Sequence, residues 1–374
     1  MTQSLRVMIV GAFPRADSPI VGGIATSCRV LLDSSLPSRA KLTLLDSSQA
    51  SNPPPGLVVR TARALLRLVR FAVRFERARP QVVMLFASPG ASAYEKGVMA
   101  WYARLRRRPA ILLPRGVPPA PLEVLARWPL LRRLAFGGAT DIVCQGAAWH
   151  RFAIGALGLP AHRAPVVPNW TATPELLAIG KARRAMPDTP LPLPPPSLLY
   201  LGWVEREKGV LDLLAACEHL KDQLDFRLDI VGDGHAAGEV AEWIHRHGMG
   251  HRVHFHGWLQ GEAKLERLRR ADVFALPSWA EGLPNAMIEA MACRLACVVT
   301  AVGNIPSTIG DTGAAALVPA RDVKALAEAL CRVIEDAAHR TRLAETGYSL
   351  AKREFGAEQA VDRLLAIAER SLPT

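Results

Sequence analysis

The sequence has 374 residues, of which 50% are hydrophobic and 21% are charged, and its net charge is +12 at pH 7. This composition excludes a disordered chain, and the length favours two domains that each bury a core. The positive charge is uneven: residues 1–180 hold 23 Lys and Arg against 8 Asp and Glu (+15), and the remainder holds 23 against 26 (−3). We therefore expect the two halves of the chain to face different partners.

Other features argue against several classes of protein. No apolar run reaches transmembrane length without an Arg or Lys, and the run after Met1 is too short for a signal peptide. The six cysteines show no CxxC spacing, which argues against a disulfide framework or a zinc site and favours a reducing compartment. A nucleic-acid binder would need aromatic residues among its basic ones, but Phe71 and Phe75 of the most basic segment lie among apolar residues.

The first half alternates predicted strands with helices. Gly22 and Gly23 lie in a loop between the first strand and a helix at 24–32, where backbone N–H groups can approach a phosphate or a sugar. Arg115 follows the fourth strand; its guanidinium can hold a phosphate but, being always protonated, cannot act as a base. The predicted strands are residues 6–11, 41–45, 81–86, 110–113, 141–144 and 164–169.

The segment from Arg60 to Arg79 predicts a helix with a strongly basic face. Its arginines recur in steps of three and four residues, at positions 60, 63, 67, 70, 74 and 77. The apolar residues Leu65, Leu68, Val69, Ala72 and Phe75 fall largely on the other side. The basic face is either solvated or bound to an anionic membrane surface, where each basic residue contributes about 1 kcal/mol. Further arginines at 104, 106–108 and 132–133 favour the membrane, as a surface attachment rather than a span.

The second half repeats the strand–helix alternation after a proline-dense stretch. The prolines predict a linker over 186–197, between domains at 1–185 and 198–355, and residues 356–374 predict a final amphipathic helix. The predicted strands are residues 198–202, 227–231, 253–256, 273–276 and 296–299. Such alternation predicts an α/β fold with parallel sheets, which bind ligands at the carboxyl ends of their strands.

Residues 271–292 carry the most informative pattern. A buried strand ends at Pro277, a short loop holds Glu281, and Pro284 stands where a helix should begin. Glu289 then lies about one and a half turns inside that helix. A helix N-terminus suits a phosphate, and carboxylates on either side of it suit hydroxyl groups, which is the layout of a nucleotide-sugar.

This stretch, with Gly282, Leu283 and Asn285 in register, resembles the E-x7-E signature of glycosyltransferase family 4, retaining enzymes of the GT-B fold. The resemblance implies two Rossmann-like domains that face each other across a cleft, with the final helix returning to the first domain. It also implies that Glu281 binds hydroxyls of the donor sugar and that Glu289 binds those of the ribose.

The resemblance extends to other loops, with departures. Residues 202–209 are similar to the family's G-R-x-x-x-E-K-G segment, whose cations neutralise the donor diphosphate; Lys208 is kept, Trp203 replaces the arginine, and Arg206 is close enough to substitute. Gly232 and Trp258 match the loops on the nucleotide side. Many relatives carry a histidine near the transferred sugar where this chain has Arg115, to which we assign a catalytic role together with Glu281 and Lys208.

The resemblance implies a glycosyltransferase that uses a nucleotide-diphosphate sugar as co-substrate and no other cofactor. Because the sequence lacks Asp-x-Asp, the usual metal-binding motif of the other main sugar-transferase fold, we expect no metal requirement. The basic first half suggests a lipid-linked or saccharide acceptor in cell-surface polysaccharide assembly, at the cytoplasmic face of the plasma membrane. A nucleotide-sugar epimerase, or an inactive binding protein of the same fold, remains the alternative.

Overall fold

The computed structural model describes residues 4–13, 22–48, 56–118, 128–184 and 195–373. The chain forms two compact units, one comprising Met1–Trp170 with Ala357–Thr374 and the other Thr171–Gly356. The structure thus divides the chain near 170 rather than near 185. Of the predicted linker at 186–197, all but the last three residues lie outside the described part of the chain.

The first unit contains a parallel sheet of five described strands in the order β2-β1-β3-β4-β5. These are β1 (Leu5–Gly11), β2 (Ala40–Asp46), β3 (Val82–Ala87), β4 (Ala110–Pro114) and β5 (Asp141–Ile142). Every residue of β3 is buried, as expected for a central parallel strand covered by helices on both faces. The segment predicted as a strand at 164–169 forms only an isolated bridge, between Val166 and Cys144.

Helices cover both faces of this sheet. They are Gly23–Leu32, Leu36–Arg39, Leu57–Ala78, Ala91–Leu105, Pro129–Phe136, Ala147–Gly155 and the final helix Ala357–Arg370, with a 3-10 turn at Ala161–Arg163. The final helix places Val361 and Leu364 in the same core as Val7 of β1. Its end is anchored at buried Asp141, which accepts hydrogen bonds from the Arg370 guanidinium at 2.8 Å and from the Ser371 hydroxyl at 2.6 Å.

The second unit contains a parallel sheet of six described strands in the order β11-β10-β9-β6-β7-β8. They are β6 (Ser197–Leu201), β7 (Arg227–Val231), β8 (Val253–Phe255), β9 (Val273–Leu276), β10 (Ala296–Thr300) and β11 (Ala316–Val318). The two parallel sheets confirm the predicted α/β class. The sequence analysis missed β11, because three residues are too few to show a periodicity.

The helices of the second unit are Pro174–Arg184, Val210–Leu220, Ala237–Arg246, Gly261–Arg270, Asn285–Ala292, Ile305–Ile309, Val323–Glu335 and Ala337–Glu354, with 3-10 turns at Arg206–Lys208, Met249–His251 and Gly310–Thr312. Because the strands are parallel, the loops that follow β6, β7, β8, β9 and β10 all lie at the carboxyl edge of the sheet. This edge gathers the motifs that are far apart in the sequence. In the described ranges, no helix has the length and apolar content needed to cross a bilayer.

Candidate functional site

The first predicted carboxylate of the second unit lies in a polar cluster at this edge. Glu281 Oε1 is 2.6 Å from Lys208 Nζ and accepts a hydrogen bond from the Ser278 hydroxyl at 2.9 Å. The Glu281 side chain is only 11% exposed and that of Lys208 is 28% exposed. A carboxylate so enclosed needs a compensating cation and hydrogen bonds, which these two neighbours supply. The structure therefore brings together two of the three predicted catalytic residues.

Close backbone packing brings Lys208 and Glu281 together. Lys208 ends the 3-10 turn after β6, and Gly209 follows with φ of 70°. A Cβ at Gly209 would lie 2.0 Å from the Pro277 carbonyl oxygen, so only glycine permits this approach. The loop after β9 is also tied by Trp279, whose indole N–H donates to Asp212 at 2.7 Å.

A loop after β10 supports the other side of the Glu281 loop. Gly303 has φ of 60°, and a Cβ there would lie 1.6 Å from the Glu281 carbonyl oxygen. The Asn304 N–H donates to the Gly282 carbonyl at 2.9 Å. Predicted donor-binding residues Gly282 and Leu283 are buried in this packing.

The helix that follows begins one residue later than predicted. Pro284 has ψ of 125°, which is extended, so it caps the helix and Asn285 is the first helical residue. The N–H groups of the first turn therefore start directly after the Glu281 loop, and their partial positive charge adds to that of Lys208.

The second predicted carboxylate, Glu289, lies inside that helix and is 5% exposed. Its Oε2 atom is 2.6 Å from Nζ of Lys264, which projects from the helix Gly261–Arg270. Sequence reasoning missed Lys264, because a lysine on a charged surface helix carries no signal of its own. Each carboxylate of the predicted pair thus has a lysine counter-ion.

The residues predicted to bind the nucleotide, Gly232 and Trp258, lie at the ends of β7 and β8. The Gly232 N–H donates to the Gly257 carbonyl at 2.9 Å, and a Cβ at Gly232 would lie 1.7 Å from the Gly202 carbonyl oxygen. The rings of Trp203 and Trp258 lie 5.2 Å apart at an angle of 37°. Within the described ranges, the buried indole N–H of Trp258 has no hydrogen-bond partner. This corner offers an aromatic surface beside a glycine surface.

Arg206, the suggested substitute for the missing arginine, points elsewhere. Its guanidinium forms a bidentate contact with Glu239 of the helix Ala237–Arg246, with a closest distance of 2.5 Å. Its side chain is 64% exposed. The structure thus pairs Arg206 on the surface and does not bring it to Glu281.

The remaining predicted residues lie in the first unit. Gly22 is the N-cap residue of the helix Gly23–Leu32, and Gly23 is the first residue of that helix. Arg115 is 6% exposed, lies 4.3 Å above the Trp170 ring and donates to Asn169 Oδ1 at 2.8 Å. Burial lowers the pKa of Arg115 to about 10, so it remains a cation at neutral pH. Its Nε and Nη2 atoms are enclosed and have no hydrogen-bond partner in the described part of the chain.

Two histidines lie at the end of β8, His254 within the strand and His256 directly after it. His256 Nε2 lies 2.5 Å from Oδ1 of buried Asp229, which Arg227 also contacts. Among the described residues, no group of three or more His, Cys, Asp or Glu is placed to hold a metal ion. The contact with Asp229 accounts for the position of His256 without a ligand.

Comparisons with known proteins agree with this geometry. The model of the family described as "Glycosyl transferases group 1" matches residues 182–350. A protein of Bacillus subtilis (strain 168), provisionally named teichuronic acid biosynthesis glycosyltransferase TuaC, is 32% identical over 167 residues, which cover 45% of this chain and 40% of that protein. The chain spans about half the length, or less, of the curated relatives it matches.

Solved structures share the fold along nearly the whole chain. Sucrose-phosphate synthase from Thermosynechococcus elongatus superimposes with a TM-score of 0.75 at 18% identity and covers 98% of both chains. HepE of Anabaena, solved in complex with UDP, gives a TM-score of 0.69 at 16% identity and covers 98% of this chain and 100% of its own. At such low identity these likenesses establish the fold, which confirms the predicted GT-B architecture.

Proposed function

Since residues 182–350 match the model of the group 1 glycosyl transferases, we propose that the chain transfers a sugar from a nucleoside-diphosphate sugar to an acceptor. The observation that carries the proposal is the Lys208–Glu281 pair, set directly before the N-terminus of the helix Asn285–Ala292. A partly enclosed cation, a carboxylate and the positive end of a helix dipole together match a diphosphate joined to a polyhydroxylated sugar.

In this proposal each group has a separate task. As the bond between sugar and diphosphate breaks, negative charge grows on the leaving phosphate, and Lys208 and the helix N-terminus stabilise it. Glu281 accepts hydrogen bonds from hydroxyls of the donor sugar, and Glu289 accepts them from the ribose. When the donor binds, the Lys208 ammonium would interact with the phosphate as well as with Glu281. The Lys208–Glu281 contact would break only when hydroxyls of the sugar donate hydrogen bonds to Glu281 in its place.

We further propose that transfer needs no divalent metal. The sequence contains no Asp-x-Asp motif, and Lys208 with the helix N-terminus offers the positive charge that a metal would supply. Addition of EDTA should leave turnover within twofold of the untreated rate. A loss that Mg²⁺ or Mn²⁺ restores would contradict this part of the proposal.

The experiment that tests the proposal has two stages. Calorimetric titration with UDP and GDP measures nucleotide binding, with UDP first because HepE was solved with it. Nucleotide-sugars of the base that binds are then supplied with bacterial lipid extract or oligosaccharides, and nucleoside diphosphate release and glycosylated product are both measured. If the protein binds neither UDP nor GDP, the proposal is refuted.

A nucleotide-sugar epimerase or an inactive binding protein is the second candidate. The observation in its favour is the loss of a cation at Trp203, which Arg206 does not replace because it pairs with Glu239. An epimerase would convert the nucleotide-sugar into an epimeric nucleotide-sugar without an acceptor, and an inactive protein would bind nucleotide without turnover. The two-stage experiment separates all three outcomes when the recovered nucleotide-sugar is also analysed.

The first unit offers a surface for a membrane-held acceptor. The helix Leu57–Ala78 has three sides, of which one packs Phe71 and Phe75 into the core and one carries the arginines. A third side is exposed to solvent: it carries Val58, Leu65, Leu66, Val69 and Val73, which are between 43% and 83% exposed. Large apolar side chains in such a row rarely stay in water on a monomeric protein.

Neighbouring helices extend this apolar surface. The helix Leu57–Ala78 packs on Ala91–Leu105, which packs on Pro129–Phe136, where Leu130 is 80% exposed and Leu131 is 42% exposed. Arginines flank the apolar row, although Arg67 is bound to Glu95 and Arg74 to a main-chain carbonyl. An apolar row beside a basic row suits insertion at the interface of an anionic bilayer.

We therefore propose a lipid-linked saccharide acceptor in cell-surface polysaccharide assembly, with the enzyme bound to the cytoplasmic face of the plasma membrane. The protein should co-sediment with vesicles of phosphatidylglycerol and phosphatidylcholine. Substitution of Leu65, Leu66 and Val69 by Ser should release it even at low salt, because insertion needs the apolar row. The matched control replaces Arg246, Arg270 and Lys324 of the second unit by Gln and should sediment as the wild type does. Release of neither variant would contradict the membrane proposal.

A further inference from the structure

The Lys264–Glu289 ion pair is a feature of the donor site that the proposed function does not use. Glu289 is 5% exposed and its Oε2 atom lies 2.6 Å from Lys264 Nζ. The two residues come from different helices, Asn285–Ala292 and Gly261–Arg270. A carboxylate this deeply buried is costly without a counter-charge, so the position of Lys264 constrains the conformation of the Glu289 side chain.

Lys264 is itself held in place by its helix. Three residues later, on the same face, Arg267 reaches to 3.7 Å from Oδ1 of buried Asp229, and Leu268 is fully buried. These contacts fix the helix against the sheet. The Lys264 side chain extends from this helix to Glu289 and is 27% exposed. Its ammonium thus meets one oxygen of Glu289 from a defined direction.

We infer that Lys264 is a positioning residue for Glu289. It holds the Oε2 atom and so orients the other oxygen, Oε1. Oε1 is then the atom that accepts hydrogen bonds from the vicinal hydroxyls of the donor ribose. This inference rests on the proposed function, because it assigns Lys264 to the donor site proposed above.

In this arrangement the affinity for the nucleotide depends on the ribose diol. A carboxylate with one oxygen fixed by a cation has one oxygen left to accept, and its direction is set before the ligand arrives. A ligand that lacks the 2′-hydroxyl removes one of the two hydrogen bonds to that acceptor in a largely enclosed site, which is costly for affinity. Without Lys264, Glu289 would rotate or draw in water, and discrimination between ribose and deoxyribose would weaken.

The test compares UDP or GDP, whichever the wild type binds more tightly, with its 2′-deoxy form by calorimetry. The wild type should prefer the ribose form by about 10- to 100-fold, the range for one hydrogen bond to a charged group. In Lys264→Met the preference should fall towards 1, and Lys264→Arg should restore most of it because arginine keeps the charge. Lys221→Met is the matched control: its lysine is 33% exposed, pairs with Glu218 in the same unit and should leave the preference unchanged.

The outcomes separate this inference from the proposed function. If the wild type binds neither UDP nor GDP, the proposed function fails and the role of Lys264 fails with it. If the wild type binds one of them and Lys264→Met keeps the full ribose preference, Lys264 does not position Glu289 although the function stands. A wild-type preference near 1 would likewise overturn the inference alone. Thermal denaturation of each variant verifies that it is folded, and Lys264→Arg keeps the test decisive if Lys264→Met is not.

Discussion

The contact between Gly303 and the Glu281 loop gives a sharp prediction about the site. In Gly303→Ala the new Cβ would lie 1.6 Å from the Glu281 carbonyl oxygen, whereas real Cβ atoms essentially never come within 3.0 Å of such an atom. The two loops must therefore separate by at least 1.4 Å, the difference between 3.0 and 1.6 Å. Because the neighbour is main chain, no side-chain rotation can relieve the clash.

The expected magnitude follows from that displacement. A misplacement of about 1 Å in a catalytic group can lower the rate about 10²-fold. The two loops share the separation of at least 1.4 Å, which is of this size, so we expect turnover to fall about 100-fold. The left-handed backbone at Gly303 adds a stability cost of about 1–2 kcal/mol for any other residue.

A second glycine separates the clash from the backbone cost. Gly248 has φ of 63° and ψ of 24°, in the left-handed region, but a Cβ there would meet nothing within 4 Å. Gly248→Ala should lose about 1–2 kcal/mol of stability yet keep its turnover. Both variants are compared by thermal denaturation, UDP or GDP titration and the transfer assay. Equal turnover in the two variants would refute the claim that Gly303 sets the position of Glu281.

Three further predictions concern the site, the final helix and the thiols. Glu281→Gln should lower kcat about 10²- to 10³-fold with nucleotide affinity within tenfold, since the lost interaction acts mainly in the transition state; a larger effect on nucleotide affinity than on kcat would count against this role. Asp141→Asn should destabilise the first unit by about 1–2 kcal/mol in chemical denaturation, because Arg370 is 45% exposed and solvent screens part of the pair; unchanged stability would mean that the final helix is anchored elsewhere. Burial raises the pKa of Cys28 to about 12, and four other cysteines are also buried. Iodoacetamide should therefore modify only Cys331 in the native protein at pH 8 and all six thiols in urea, as counted by mass spectrometry. Fast modification of any other thiol in the native protein would contradict the observed burial.

The sequence by itself determined the fold class and the centre of the site. Alternating strand and helix periods are local properties, so they predicted parallel sheets in both halves. The Glu281–Glu289 stretch is also local: strand, loop and helix follow one another within twenty residues. Lys208 was found by its loop context, and the structure places it 2.6 Å from Glu281.

The tertiary structure decided which distant residues meet. Lys264 lies 2.6 Å from Glu289 and Gly303 touches the Glu281 main chain, and neither contact can be deduced from spacing, because each depends on how parallel strands align their loops. The same holds for Arg206, which is close to Lys208 in sequence but contacts Glu239 of the helix Ala237–Arg246.

The helix Leu57–Ala78 illustrates the limit of periodicity most clearly. Helical spacing fixes the angles between its side chains, so the sequence correctly separated the arginines from the apolar residues. It does not fix the rotation of the whole helix about its axis, which is chosen by packing. The core accepted Phe71 and Phe75, and that choice left Leu65 and Val69 about 60% exposed. The sequence thus determines the angles between side chains on one helix. Which of its faces the helix turns to the core is determined only by tertiary packing.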